Sequence, residues 1–466
     1  MNRRTTGLMA VCLSAVLVLT SCSGGSEGTN EVSSETPTSS ASATTEAGNR
    51  TLTVMLDSTA VLTNFETPQE ALDAYDAGIA AGQLKDTPEQ RLTKENLLLL
   101  KQYAEDNKLD LISVEWGWGN ALTQKLMATF LAGEGPDIII GETQLPGFAR
   151  EGYLEPFPDE LAARIREELV SAAWKAMEYE GKLYGVALEP SVTVLAWNKK
   201  VLRAAGLDPD KAPQTWEELL ANLEAIHKTG KYSGGGFYAG ANNGGYLRFG
   251  AFLAGSGGGY ANAEGTPSIA DSANLPAFEF ARRMGSFNKS GILTASEEGT
   301  YFAAFDKGQL GYKVDGTWAV LQAERQGLEI GVAPLPAGPA GAGGMVLGAG
   351  FQAVPIYSKN KEEAFKLIEQ LISEHFQRNI ASGGLRVPAL KAVSQSEEYK
   401  QQHPTLYELA KGLDGEYSGL PTFGGNASQA WEAVGEALTR TLTTKDSLPD
   451  IMNQAQDKMV RAVTDK

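Results

Sequence analysis

The residue frames with the strongest chemical suggestion lie in the middle of the chain. Ser286-Phe287-Asn288-Lys289 fits SxxK, Ser272-Ala273-Asn274 fits SxN, and Lys228-Thr229-Gly230 fits KTG. In penicillin-binding enzymes this set supplies an activated serine for acyl transfer. Here the three run in reverse chain order, and KTG falls at a helix end before a glycine-rich stretch, so the confirming context is missing. The three histidines, His227, His375 and His403, are far apart and none stands in an HExxH frame. There is no nucleophile elbow on an expected strand-to-helix turn and no Walker A phosphate loop. The 57 carboxylates leave a glycosidase pair open, but no spacing singles one out. The expectation is a chain with no catalytic residue, no metal and no cofactor.

Cys22 is the remaining residue with reactive chemistry of its own. It closes Leu19-Thr20-Ser21-Cys22, behind Arg3, Arg4 and an apolar run from Gly7 to Leu19. A positive start, an apolar stretch too short to span a bilayer and small residues ahead of a cut are the layout of a secretory signal. The cysteine directly after the small residue resembles the lipobox of bacterial lipoproteins. That implies a signal peptide over 1–21, a diacylated Cys22 and anchoring at the outer face of the cell membrane without a span. Cys12 would leave with the leader, so neither a disulfide nor a thiolate metal site is expected. The formal net charge is −17, and the leader carries two arginines and no acid, which argues against nucleic acid and anionic lipid surfaces as partners.

The elements that must position any site begin after residue 50. From Ser23 to about Arg50 the chain is almost entirely Ser, Thr, Gly, Glu, Ala and Pro, with Val32 its one large apolar residue. Such a stretch cannot bury enough surface to offset its ordering entropy, so residues 22–50 read as a disordered tether behind the lipid. A chain of 466 residues exceeds what one core usually serves, and two lobes are expected. Strand patterns at Thr51–Met55, Leu111–Trp116, Asp137–Ile140, Leu183–Leu188 and Val192–Trp197 alternate with helical patterns at Leu97–Tyr103 and Ala121–Leu131, and an acidic, Ala-rich stretch from Thr67 to about Gln83, within a segment 57–95 whose conformation the sequence leaves open, follows the first strand. That alternation predicts α/β layers with parallel strands joined by right-handed crossovers. Capping boxes are expected at Thr215 with Glu218 and, nearly, at Asn360 with Glu363. Residues 233–245, 255–259 and 337–350 read as glycine- and asparagine-rich loops.

Four runs occur in order: Gly133-Glu134-Gly135-Pro136-Asp137-Ile138; Tyr184-Gly185-Val186 leading to Trp197-Asn198-Lys199, Ala205-Gly206-Leu207 and Thr215-Trp216-Glu217-Glu218-Leu219; Phe305-Asp306-Lys307-Gly308 leading to Asp315-Gly316-Thr317-Trp318; and Gly331-Val332-Ala333-Pro334. Together they resemble the hallmarks of bacterial extracellular solute-binding proteins of family 1, the maltose- and oligosaccharide-binding group of ABC importers. The resemblance covers essentially the whole chain after residue 50. Trp197 stands where the family usually has tyrosine, Ala187 where it has proline, and Gly311-Tyr312 where it has Ala-Met.

The resemblance implies an α/β, two-lobed, type II periplasmic-binding-protein-like fold with hinge strands and an interlobe cleft. Its expected division is an N-terminal lobe of 51–187 with 347–378 and a C-terminal lobe of 188–346 with 379–466. Crossings are expected near Val186–Glu189, near Gly348–Val354 and after a helix ending about Glu374. It implies a monomeric receptor that takes a sugar, an oligosaccharide in particular, and delivers it to the transmembrane subunits of an ABC permease. An exported carbohydrate-active enzyme and a ligand-sensing subunit of a signalling system are the alternatives. A sugar offers flat C–H faces and a rim of hydroxyls, so aromatic rings beside polar groups are the expected lining. Trp318 is the first candidate, from the family's tryptophan after Asp-Gly. Trp116 and Trp118 flank Gly117 after a strand end, where α/β sheets present ligands. Glu142, Thr143 and Gln144 follow the Ile138–Ile140 run, Ser191 lies just past the first crossing, and Asn242, Asn243 and Tyr246 lie before a helix. Trp174, Trp216 and Trp431 read as packing residues.

Overall fold

The computed structural model describes residues 50–56, 65–85, 87–117, 119–142, 144–240, 244–262, 264–317, 327–341, 343–344, 350–383, 386–414, 421, 423 and 427–464. The tether and Cys22, together with Trp118, Thr143, Asn242, Asn243 and Trp318, lie outside the described residues.

Two sheets organise the chain from Asn49 onward. In the first, β1 (Arg50–Val54) pairs in parallel with β2 (Leu109–Ser113), with Leu52 opposite Leu111. A parallel bridge between Val54 and Ile138 carries the sheet on to β3 (Ile139–Gly141). A hairpin of β4 (Glu178–Tyr179) and β5 (Lys182–Leu183) turns on Glu180 and Gly181, both at positive φ (49° and 75°), as a two-residue type I′ turn requires. The short strand β6 (Val186–Ala187) follows. In the second sheet, β7 (Thr193–Asn198), β8 (Ser233–Phe237), β9 (Leu310–Gly316) and β10 (Ile330–Pro334) lie in the order β10-β7-β9-β8. Only β8 and β9 are parallel there. Finally β11 (Phe351–Ala353) inserts between β3 and β6, antiparallel to both.

The α/β expectation holds, but the all-parallel arrangement does not. β7 runs antiparallel to both of its neighbours, β9 and β10, and β11 runs antiparallel to both β3 and β6. A second correction concerns 233–237, expected as loop and found as the fully buried strand β8. Its glycines let the backbone come close to β9: a β-carbon on Gly235 would sit 1.9 Å from the Tyr312 carbonyl oxygen. Asn288 secures the approach by accepting from Gly235 N (2.8 Å) and donating to its carbonyl (3.0 Å).

Thr215 caps its helix as expected, accepting from Glu218 N at 3.2 Å, while the Glu218 carboxylate accepts from Gln214 N at 2.7 Å, one residue before the cap. The second expected box is absent. Asn360 sends its amide to Asp137 and to the Thr51 carbonyl, and Glu363 pairs with Arg50. The helix expected to end about Glu374 ends at Leu371, and Glu374 opens another that runs to Gly383 and packs on the helix Pro88–Asn107. A lobe division at 378/379 would cut that helix, and we propose that it falls beyond Gly383.

Asp137 ties the first sheet to this C-terminal return. Its carboxylate, 8% exposed, accepts from Thr53 N (3.0 Å), Ser358 Oγ (2.7 Å) and Asn360 Nδ2 (3.2 Å). Removing it would take the carboxylate from three donors around a buried hole, of which Asn360 Nδ2 keeps the Thr51 carbonyl. Asp137→Ala is expected to lower unfolding free energy by about 2–4 kcal/mol, measured by denaturant titration.

Candidate functional site

The parallel strands define where a ligand can sit, because crevices open beyond their carboxyl ends. In the first sheet β2 leads to Trp116 and β3 leads to Glu142 and Gln144; in the second β8 leads to the loop before Tyr246, and β9 leads to Thr317. The two sets approach each other. The Glu142 carboxylate lies close enough to Tyr246 for its charge to act on the phenol, which burial first, and Glu142 second, push up. The Arg150 guanidinium lies 3.5 Å from where a β-carbon on Gly265 would stand.

Tyr246 is buried and stacks on Trp431, with ring centroids 4.7 Å apart and 17° between planes. Tyr260 meets the same indole edge-on at 5.1 Å and donates its hydroxyl to the Tyr246 carbonyl (2.7 Å). Phe423 completes the group at 5.1 Å from Trp431. Trp431 is only half-buried, so this expected packing residue presents aromatic surface at the edge of the cluster. Its helix (Ala427–Thr443) packs it against the core, in keeping with the packing role expected of it. Trp216 is buried against Phe252 and Phe280, in keeping with a packing role.

The other expected residues separate by role. Ser191 is 1% exposed, and its Oγ accepts from both Thr317 N (3.1 Å) and Thr317 Oγ1 (2.9 Å), joining the first crossing to the end of β9. Gln144 accepts from Glu142 N (3.2 Å), holding the turn after β3. Trp116 is half-buried, and its carbonyl accepts from Lys125 Nζ (3.1 Å). The Glu142 charge thus reaches Tyr246, whereas Ser191 is engaged with Thr317. Buried Gln377 donates to the carbonyls of Leu188 (3.2 Å) and Leu371 (3.3 Å) and accepts from Leu390 N (3.2 Å). Beside it Arg386 Nε stands 3.5 Å from the buried Glu189 carboxylate.

Beneath Thr317 lies a buried ionic cluster. Alternation along β9 puts Lys313 and Asp315 on one face of the sheet. Arg248, on the helix Gly244–Ser256, donates from Nε (3.1 Å) and Nη2 (2.5 Å) to Asp315 Oδ1, and Lys313 Nζ stands 3.1 Å from Oδ2. Arg248 Nη1 pairs with Glu298 at 2.6 Å, and Lys313 Nζ lies 4.0 Å above the Phe302 ring. Burial works to raise the Asp315 carboxyl, but the Arg248 and Lys313 charges outweigh it and hold the group below the usual carboxylate range. Burial dominates at Glu298, whose carboxyl is pushed up despite Arg248.

The frames considered first for acyl transfer do not converge. Ser286 Oγ donates to the Arg283 carbonyl (2.6 Å), Lys289 Nζ to the Lys231 carbonyl (3.1 Å), and Asn274 accepts from Gly259 N (2.9 Å). Among the described residues no group of three or more His, Cys, Asp or Glu could hold a metal ion. Two surface recesses, of about 480 and 770 Å³, take no residue from the strand ends described above. Recess size and chemistry therefore point to different places. The strand ends carry the aromatic surface and the facing acid that a small-molecule site needs, and the recesses are open and lined largely by charged surface side chains.

Asp315 contributes stability above the ordinary carboxylate range of about pH 4, and that contribution is lost as pH falls through this range toward its depressed value. Asp315→Asn leaves Arg248 and Lys313 with less compensation. It is expected to cost about 3–5 kcal/mol at neutral pH and to flatten the acid limb of stability against pH, read by urea unfolding between pH 3 and 7.

Comparison with known proteins gives the site its context. The sequence model described as bacterial extracellular solute-binding protein matches residues 99–405. A Brucella abortus (strain 2308) sequence named as a binding protein is 24% identical over 285 residues, 60% of this chain and 69% of that one. A Sinorhizobium fredii sequence, named for the periplasmic-binding component of an amino-acid ABC transporter, is 26% identical over 330 residues, 66% of this chain and 74% of its own. Among solved structures, the cyclic alpha-maltosyl-1,6-maltose binding protein of Arthrobacter globiformis superposes with a TM-score of 0.67 at 18% identity, covering 90% of this chain and all of its own, which shows a shared two-lobed fold.

Proposed function

This chain belongs to the bacterial extracellular solute-binding protein family, and from that premise we propose that it is a lipid-anchored receptor that captures a sugar between its lobes and passes it to an ABC permease without chemical change. The observation that carries the ligand class is the half-buried Trp431, stacked with Tyr246, a phenol that the Glu142 charge also reaches. An aromatic face accepts the C–H face of a pyranose, and a neighbouring carboxylate accepts its hydroxyls. The fold shared with a maltooligosaccharide-type binder supports the same reading. Trp318, which follows Thr317 in the chain, is assigned from the family resemblance as a further stacking residue, with Trp116, Trp118, Thr143, Gln144, Asn242 and Asn243 as polar or aromatic lining.

Closure of the lobes around ligand is the hinge motion that presents a recognisable form to the permease. The Leu188–Ser191 crossing is where that rotation is absorbed. A lipid at Cys22 with the Ser/Thr-rich stretch behind it would keep the receptor near its permease and let it reorient.

Intrinsic tryptophan fluorescence of the mature protein, titrated with maltose-series oligosaccharides, monosaccharides and amino acids, tests the ligand class. A saturable response to an oligosaccharide is expected, with the sugar recovered unaltered. Trp318→Ala and Trp431→Ala should each weaken it by about 2 kcal/mol, roughly thirtyfold in Kd. Response to amino acids alone would overturn the sugar reading, an arm that the name of the Sinorhizobium relative makes worth including. For the anchor, Cys22→Ser is expected to abolish incorporation of labelled palmitate and release the protein from the membrane fraction; retention of both would sink the lipoprotein assignment.

A further inference from the structure

The second lobe offers the site two walls from separate elements. One is the start of the helix Gly244–Ser256, which carries Tyr246; the other is the end of β9, which delivers Thr317. Arg248 stands between them. It lies two residues past Tyr246, and its guanidinium grips Asp315, two residues before Thr317. We propose that Arg248 is a positioning residue for ligand capture, coupling the Tyr246 wall to the Ser191–Thr317 crossing so that both move as one body.

The connection is continuous. Asp315 Oδ1, already held by Arg248, also accepts from Gly316 N (2.9 Å), which sets the backbone turn into Thr317. Thr317 in turn donates to Ser191 from its backbone and its hydroxyl (3.1 and 2.9 Å). A single path of hydrogen bonds and chain thus runs from the helix under Tyr246 to the interlobe crossing. The orientation of the guanidinium is determined from two sides, since Nε and Nη2 address Asp315 while Nη1 addresses Glu298. A lysine could match the charge but not that planar geometry.

Stability alone does not explain the arrangement. Arg248 and Lys313 are 2% and 1% exposed, and well-packed apolar groups in place of buried ions are often as stable or more so. What apolar packing does not supply is direction and a defined register between two elements. The proposal rests on the ligand site assigned above, and the experiment separates the two.

Amide hydrogen exchange of the mature protein without ligand is compared for wild type, Arg248→Lys and the apolar triple variant Arg248→Met/Lys313→Met/Asp315→Leu, with maltotriose titrated in parallel. Coupling predicts that both variants lose protection at 244–248 and at 315–317 together, by about tenfold, while the rest of the lobe keeps its exchange rates and Tm changes little. Maltotriose affinity is expected to fall by about tenfold in Arg248→Lys. Loss at only one of the two segments would overturn the coupling. So would retention of protection and affinity in the triple variant, which would reduce the cluster to structural support. Exchange lost across the whole lobe with a lowered Tm in both variants would overturn it likewise. Paired loss of protection with no maltotriose binding by any form upholds the coupling and sinks the sugar reading alone.

Discussion

Asp315 brings a full negative charge into β9, a strand in which every residue is buried, and much of the second lobe is arranged to keep that charge satisfied. Arg248 comes from one helix, Lys313 from the same strand, and Glu298 from the start of another helix to balance the second cation. A buried carboxylate tolerates little displacement of its partners, because at low dielectric each lost contact is costly. The helix positions flanking β9 are therefore constrained together, and the strand end that leads into Thr317 inherits the constraint.

The first lobe uses a milder version of the same device. Asp137 gathers Thr53, Ser358 and Asn360, so β1, the entry to β3 and the helix Lys361–Leu371 meet at one carboxylate. The segment Leu188–Ser191 is held by neutral and charged contacts together. Gln377 holds the Leu188 carbonyl beside Leu371 and Leu390, Ser191 holds Thr317, and Arg386 stands beside the buried Glu189 carboxylate.

Much of the fold was legible because it rests on local periodicity. The helix Gly119–Ala132 and the strands β1 and β2 lie within a few residues of where apolar spacing put them, whereas the helix Pro68–Ala80 falls in a segment whose conformation the sequence left open. Failures came where tertiary contacts override local preference. Four consecutive small residues at Ser233–Gly236 carry loop composition, yet form a strand because the neighbouring strand leaves no room for a β-carbon. Asn360 and Glu363 have capping spacing, but Asp137 and Arg50 offer them stronger, charged partners. Of the residues named from the sequence, Glu142 reaches Tyr246 by its charge, Ser191 holds Thr317, and Trp431, read as packing, lies partly buried against the core. The Lys-Val-Asp alternation inside an apolar run was the available sign of a buried ion pair.

By itself the sequence determined the secretory leader pattern, the acidic balance, the order of strands and helices and the family resemblance, since these depend on composition and on neighbours along the chain. Only the tertiary structure decided strand direction, the reach of the Glu142 charge to Tyr246 and the joining of Arg248 to Asp315. Those pairs lie 104 and 67 residues apart. At such separations local propensity carries no information, and partners are selected by the shape and dielectric of the space that folding encloses.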